Sequence, residues 1–212
     1  MRIALNIKLL FLLLFCGITF CNAQEIPGGN DDFNDDPETV FFNLEIFRPV
    51  GIGNSFLAKD YNDGAGLAFD FNWFFLPQFT LGTHINIFGS SVKNQSAVGN
   101  IQKTSVSIFG LTAGYYHEMD RHWNLHATAG FGALNYRNTA PEDKFSESGT
   151  SYWVQVQVAY RFNKTVAVYF KMEPRLDRLK IMAPAGLDDY FNRHYILSPG
   201  FGLRLNFHNP GG

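Results

Sequence analysis

The sequence predicts an all-β fold: a closed, eight-stranded, antiparallel up-and-down transmembrane β-barrel. Three observations point there. Apolar side chains recur at every second position in eight separate stretches, which is the period of strands, whose successive side chains face opposite ways. The connections between the stretches alternate long and short along the chain. Beyond the N-terminus no run approaches the ~18 consecutive apolar residues of a membrane helix, although the chain carries 22 Phe, 9 Tyr and 3 Trp.

The first residues stand apart from the fold. Arg2 and Lys8 form a basic start, residues 9–20 an apolar core, and Cys21-Asn22-Ala23 a cleavage site before Gln24. This reads as a secretory signal peptide over residues 1–23, too short to span a bilayer. A lipidated cysteine would need a small residue before it, whereas Phe15 precedes Cys16 and Phe20 precedes Cys21. Both cysteines lie inside the signal, so the exported chain rests on its packing or on a membrane, not on disulfides. Removing Arg2 and Lys8 from the 17 basic residues leaves 15 against 19 acidic ones, a net of −4. With no basic stripe, nucleic acid is not an expected partner. Residues 24–38, with Asp31, Asp32, Asp35 and Asp36, have little to bury and are expected to be a disordered acidic tail. The ligand spacing of a calcium loop is absent, and no metal or cofactor is expected.

The barrel is expected over residues 39–207, with 208–212 as a short tail. The first strand, 39–48, alternates Phe42, Leu44 and Ile46 with Asn43 and Glu45. After a Gly/Asn/Asp-rich connection over 49–64 comes the clearest stretch, 67–87. Leu67, Phe69, Phe71, Trp73, Phe75, Phe79, Leu81, Ile85 and Ile87 hold odd positions, and Asp70, Asn72, Thr80, His84 and Asn86 hold even ones. Pro77 marks the turn of this hairpin, where a missing N–H does no harm. A polar connection over 89–104 leads to a fourth strand, 105–116, with Phe109, Leu111, Ala113 and Tyr115 outward. Val106 and Ile108 sit on the opposite parity, and a bulge near Gly110 would reconcile the two halves. The fifth strand, 123–135, sets Trp123, Leu125 and Phe131 against Asn124, His126 and Thr128. A long polar connection is expected over 136–150. The sixth strand opposes Val154, Val156 and Val158 to Gln155, Gln157 and Arg161, and Asn163-Lys164 turns into the seventh, with Val168 and Phe170 against Tyr169, Lys171 and Glu173. Residues 174–193 read as the longest connection. The eighth strand sets Leu203, Leu205 and Phe207 against Arg204 and Asn206.

Alternation does not say which face is inside, since a lipocalin-like soluble barrel carries its apolar face inward. The polar parity is rich in small residues such as Gly82, Gly130, Gly132, Gly200 and Gly202, as the cramped interior of eight strands requires. The apolar parity is large throughout and contains no Lys, Arg, Asp or Glu. Aromatics gather at strand ends: Trp73, Phe75, Phe79, Tyr115, Trp123, Tyr160, Phe162 and Phe207 at the short-turn end, and Tyr136, Tyr152 and Tyr195 at the long-loop end. Those are the positions of interfacial girdles, so the apolar face meets lipid.

Gly202-Leu203-Arg204-Leu205-Asn206-Phe207 resembles the C-terminal assembly signal of outer-membrane barrels, a glycine followed by alternating hydrophobics that close on an aromatic. Residues 39–207 resemble the small eight-stranded members of that group, the OmpX-like and OmpA-transmembrane-domain-like proteins. The resemblance implies an outer-membrane location, surrounding lipid and lipopolysaccharide, and engagement of the barrel-assembly machinery through Gly202–Phe207. It also implies a lumen plugged by a charged network.

The lumen set expected from parity is Glu45, Asp70, His84, Arg161, Lys171, Glu173 and Arg204. Buried charge is costly unless paired, so pairing across the interior is expected. Arg175, Arg178, Lys180 and Arg193 form a basic cluster with Leu176, Leu179, Ile181 and Met182 between them, suited to lipopolysaccharide phosphates at the rim and to a short amphipathic rim helix. Connections 49–64 and 174–193 are the candidate surfaces for an extracellular ligand. Catalysis is not expected: His126 with Thr128, and His84 with Ser90 and Ser91, lack an orienting acid. A structural or adhesive role therefore leads, with a narrow channel or a lipid A-modifying enzyme as alternatives. Mass spectrometry of the exported chain should give Gln24 as its first residue; a retained 1–23 segment would make it an anchor.

Overall fold

The computed structural model describes residues 38–62, 64–141, 143–182 and 186–208. The expected signal peptide, nearly all of the acidic tail and the last four residues lie outside them. Nine strands follow one another: β1 (Glu38–Phe47), β2 (Val50–Ile52), β3 (Ala65–Leu76), β4 (Phe79–Ser91), β5 (Lys103–Glu118), β6 (Trp123–Thr139), β7 (Lys144–Arg161), β8 (Val166–Leu179) and β9 (Arg193–His208). Three short helices lie in the connections: α1 (Phe56–Asp60), α2 (Gln95–Val98) and α3 (Asp188–Asn192). All pairings are antiparallel between neighbours, and β1 pairs with both β3 and β9. The sheet is therefore a closed barrel of eight long strands. The small β2 continues the line of β1, pairing Val50 with Leu197 and Ile52 with Tyr195 on β9.

The apolar parity faces out. Leu67, Leu111, Phe131 and Phe201 are 55–69% exposed, while Asn43, His84, Lys171 and Arg204 on the other parity are fully buried. A soluble barrel would show the reverse. No described helix is long and apolar enough to cross a membrane; the strands do so. The short-turn aromatics pack into a belt: Phe79 against Tyr115 with ring centroids 5.5 Å apart, Trp123 against Tyr160 at 5.1 Å, and Tyr160 against Phe162 at 5.4 Å. The turns are held by side-chain acceptors. Asp120 accepts the backbone N–H of His122 at 2.7 Å and Trp123 at 2.9 Å, bonds that hold its carboxyl below the usual range. Asn163 does the same for Thr165 and Val166.

Four expectations are corrected. β5 pairs with both neighbours without a register shift, so Gly110 carries no bulge; Val106 and Ile108 point inward and are buried. The 136–150 connection shrinks to 140–143, because β6 and β7 continue to Thr139 and from Lys144. Tyr136 lies inside the barrel, 1% exposed, not in a girdle. The 174–193 connection loses its first six residues to β8, so residues 175–182 form no rim helix and Leu179 is buried. In β8 the ordinary parity runs on past Pro174, with Arg175 and Asp177 inward; one cause underlies the other three. Above the lipid the outward positions become polar and the inward ones apolar, so the pattern inverts in sign while the strand continues.

If Leu111 faces acyl chains, Leu111→Arg should cost about 2–4 kcal/mol of folding free energy in lipid vesicles. Denaturant titration measures this, and a loss under about 0.5 kcal/mol, as at an ordinary solvated position, would contradict the outward assignment.

Candidate functional site

The strands order the interior into layers, starting from the short-turn end. There, Arg161 Nη1 on β7 lies 3.1 Å from Glu38 Oε1 on β1 and 2.8 Å from Glu118 Oε1 on β5. Above it Phe41, Phe74, Tyr116 and His126 pack together, with Phe41 edge-on to His126 at 5.1 Å and Phe74 edge-on to Tyr116 at 5.1 Å.

Arg204 on β9 is the hub of the next layer. Its guanidinium lies 4.3 Å from the centre of the Phe41 ring. Nε donates to Asn43 Oδ1 (3.1 Å), Nη1 to Asn124 Oδ1 (2.7 Å) and Nη2 to Gln157 Oε1 (2.7 Å). One cation thus ties β9 to β1, β6 and β7. Asn43 passes the network on, donating to Asp70 at 3.4 Å.

The middle layer holds the charge. Lys171 Nζ donates to Glu173 Oε2 at 2.8 Å and sits 3.0 Å from Glu45 Oε1, close enough for ion pairing but out of line for a hydrogen bond. His84 Nδ1 lies 2.5 Å from Asp70 Oδ1, and Gln155 donates to Glu173 at 3.0 Å. Arg175 Nε lies 3.1 Å from Asp177 Oδ1, and Nη1 3.6 Å from Glu173 Oε1. Asp177 also accepts from Tyr136 (2.9 Å) and Ser151 (2.6 Å). Room for the large inward rings comes from glycines paired with them on adjacent strands. A Cβ on Gly130 would sit 2.5 Å from Trp153 Cε2, and one on Gly202 2.5 Å from Tyr169 Cζ.

Every residue of the expected lumen set is therefore buried. Glu45, Asp70, His84, Lys171, Glu173 and Arg204 are brought into linked layers, while Arg161 is set apart at the short-turn end. Arg175 is corrected: it points inward, 3% exposed, and is not at the rim. Arg178, Lys180 and Arg193 are exposed, with Arg178 directly opposite Arg193 in the β8–β9 ladder and Arg193 Nε 3.3 Å from Asp189 Oδ1. Asp177, Asn43, Asn124 and Gln157 were missed as network members. Asp177 shares the parity of Lys171 and Glu173 but falls within the connection expected over 174–193; in the structure the β7–β8 pairing skips between Val156↔Met172 and Trp153↔Arg175, and Pro174 faces out.

The hydroxyls near His84 and His126 are all hydrogen-bonded. His126 Nε2 lies 2.9 Å from Thr80 Oγ1, Thr128 donates to Gln155, and Ser90 donates to the Asn62 carbonyl. Among the described residues no three His, Cys, Asp or Glu side chains converge as a metal site requires. Lys171→Met, which leaves Glu45 without its cation and Glu173 with Arg175 alone, should destabilise the barrel by about 3–5 kcal/mol. Adding Glu45→Gln and Glu173→Gln should restore most of it in vesicle unfolding titrations, and no recovery would mean that charge pairing is not what the layer provides.

No family model and no curated protein matches the sequence. Solved structures do match in fold. Neisserial surface protein A aligns with a TM-score of 0.59 at 9% identity, over 79% of this chain and 97% of that one. OprG of Pseudomonas aeruginosa aligns at 0.54 and 10% identity, over 85% and 100%. Ail, the attachment invasion locus protein of Yersinia pestis, solved with the heparin analogue sucrose octasulfate, aligns at 0.50 and 12% identity, over 80% and 97%. In closure, strand number and polar-in, apolar-out arrangement, this chain has the fold of the small eight-stranded outer-membrane β-barrel proteins.

Proposed function

We propose that the protein is a structural or adhesive module of a Gram-negative-type outer membrane, closed to steady conduction and acting through its loop end. The carrying observation is the filled lumen: the Phe41 layer, the Arg204 hub and the Lys171 layer succeed one another along the axis. An interior of eight strands has room for little beyond its own side chains. The Gly202–Phe207 segment, laid against β1 through Leu203↔Leu44 and Phe207↔Val40, is the segment offered to the assembly machinery.

The outer wall supports an anionic partner. Arg178 and Arg193 face outward side by side, and like charges directly opposite destabilise a ladder. An anion between them offsets that cost. Lys180 stands beyond them, and Lys103, Arg137 and Lys144 are exposed on β5, β6 and β7. Lipopolysaccharide phosphate is the anion that a lipid-embedded wall meets at this height, and the sulfated ligand of Ail is of the same polyanionic chemistry.

Refolded protein in planar bilayers should give no steady openings; steady unitary conductance would favour the channel reading. Replacing Arg178, Lys180 and Arg193 together by Ala should lower the lipopolysaccharide retained per barrel on extraction by at least half. Unchanged retention would remove the rim from the proposal.

A further inference from the structure

The loop-end third of the lumen is built differently from the rest. Inward positions there include Phe88, Val106, Ile108, Leu134, Leu179 and Ile196, all buried, with Trp153 below them and with Thr104, Asn138, Asp177 and His194 buried among them. Inward positions meet no lipid, so apolar side chains there must pack against something else. What they pack against is α1. Phe56, Leu57 and Tyr61 of the first connection belong to the same buried cluster, and the Phe56 ring lies 4.4 Å from His194, edge-on, and 5.9 Å from Phe191.

Among the described residues, the inserted segment is tied to the wall only at its exit, where the Tyr61 hydroxyl lies 2.9 Å from Thr104 Oγ1 on β5 and Asn62 N donates to the Ser91 carbonyl on β4 at 2.9 Å. α1 is five residues long and has no side-chain N-cap bond, so it is no stable helix by itself. Gly53, just before it, has φ of 84° and is exposed, a conformation that favours glycine and leaves a natural pivot. Polar bonds from other loops hold α1 down, and they converge on Asp60. Its carboxylate accepts from the Tyr190 hydroxyl of α3 and from Asn94 Nδ2 at 3.1 Å; its carbonyl accepts from Lys93 N at 2.6 Å and Asn94 N at 3.2 Å. These bonds lie at the water end of the barrel, where water can replace them.

We propose that the loop-end third of the lumen is a binding pocket for a small neutral aromatic molecule, occupied in this structure by the chain's own Phe56 and Leu57, with Asp60 as the latch. The chemistry of the guest is read from the groups that fill the site, a benzyl ring beside a branched alkyl chain. Trp153, flanked by the His84 ring at 4.9 Å, forms the floor. Below it the charged layer closes the way, so the site is a pocket and not a pore. This goes beyond the envelope role proposed above and does not depend on the anionic rim.

The three tryptophans allow a direct test. Trp73 and Trp123 are exposed at the short-turn end, whereas Trp153 is 3% exposed on the pocket floor. Trp73→Phe with Trp123→Phe leaves Trp153 as the sole indole, and Trp153→Phe gives the lipid-facing control. In bilayers, nitrobenzene, a neutral aromatic quencher, should quench Trp153 saturably and the control linearly. Phe56→Ala should lower the half-saturating concentration at least fivefold, because the internal competitor is gone. Asp60→Asn, which keeps the ring and weakens the latch, should lower it at least twofold and decides the matter if Phe56→Ala fails to fold. Linear quenching of Trp153 with the slope of the control, or a midpoint unmoved by the folded variants, would overturn the pocket. Bilayer conductance of the same variants would leave the closed-lumen reading standing or falling on its own.

Discussion

Acyl chains offer no partner to a backbone N–H or C=O, and each one left open inside a bilayer costs several kcal/mol. The seam between β1 and β9 is where this requirement is met. Phe42 pairs with Leu205, Leu44 with Leu203 and Ile46 with Phe201, and once those bonds form the sheet has no edge left in the membrane. Everything else follows from closing a ring with eight members. The apolar parity must turn outward, because only the outside has room for Leu67, Phe131 and Phe201. The other parity must fit within a narrow tube.

That narrowness decides what the interior can be. Cations packed that tightly have to be paired, and two of the layers pair theirs with different chemistries. Arg204 is met by neutral amide oxygens and an aromatic face. Lys171 is met by two carboxylates. Toward the loops apolar side chains enter the filling, with Ile108, Leu134 and the folded-in Phe56 beside the bonded pairs Thr104–Asn138 and Tyr136–Asp177. Glycines at 130 and 202 create the gaps that Trp153 and Tyr169 fill, so the large inward rings and the missing side chains opposite them are one arrangement.

The membrane-level half of this was legible in the sequence. Parity placed Glu45, Asp70, His84, Lys171, Glu173 and Arg204 on one face because lipid enforces a one-sided rule: nothing charged may stand at Leu44, Phe69 or Val156. Outside the lipid that rule lapses. Residues 136–139 and 174–179 continue as strand with Tyr136 and Leu179 inward, and a reader tracking outward grease loses them there. Arg175 and Asp177 are lost with them. The neutral partners of Arg204 share the correct parity, but their convergence depends on strand tilt and stagger, which no local pattern encodes. Phe56-Leu57, an apolar pair in a Gly/Asn/Asp-rich connection, was the one available sign of the inserted segment.

Arg204 lies in β9, the last strand of the barrel, yet it supplies the bonds that Asn43, Asn124 and Gln157 share. Until translation and export have delivered that strand, those three amides face an unfilled hole. A chain truncated by a premature stop would lack both its lateral partner for β1 and the cation at its centre. The penalty for losing β9 is thus written twice, in the wall and in the filling.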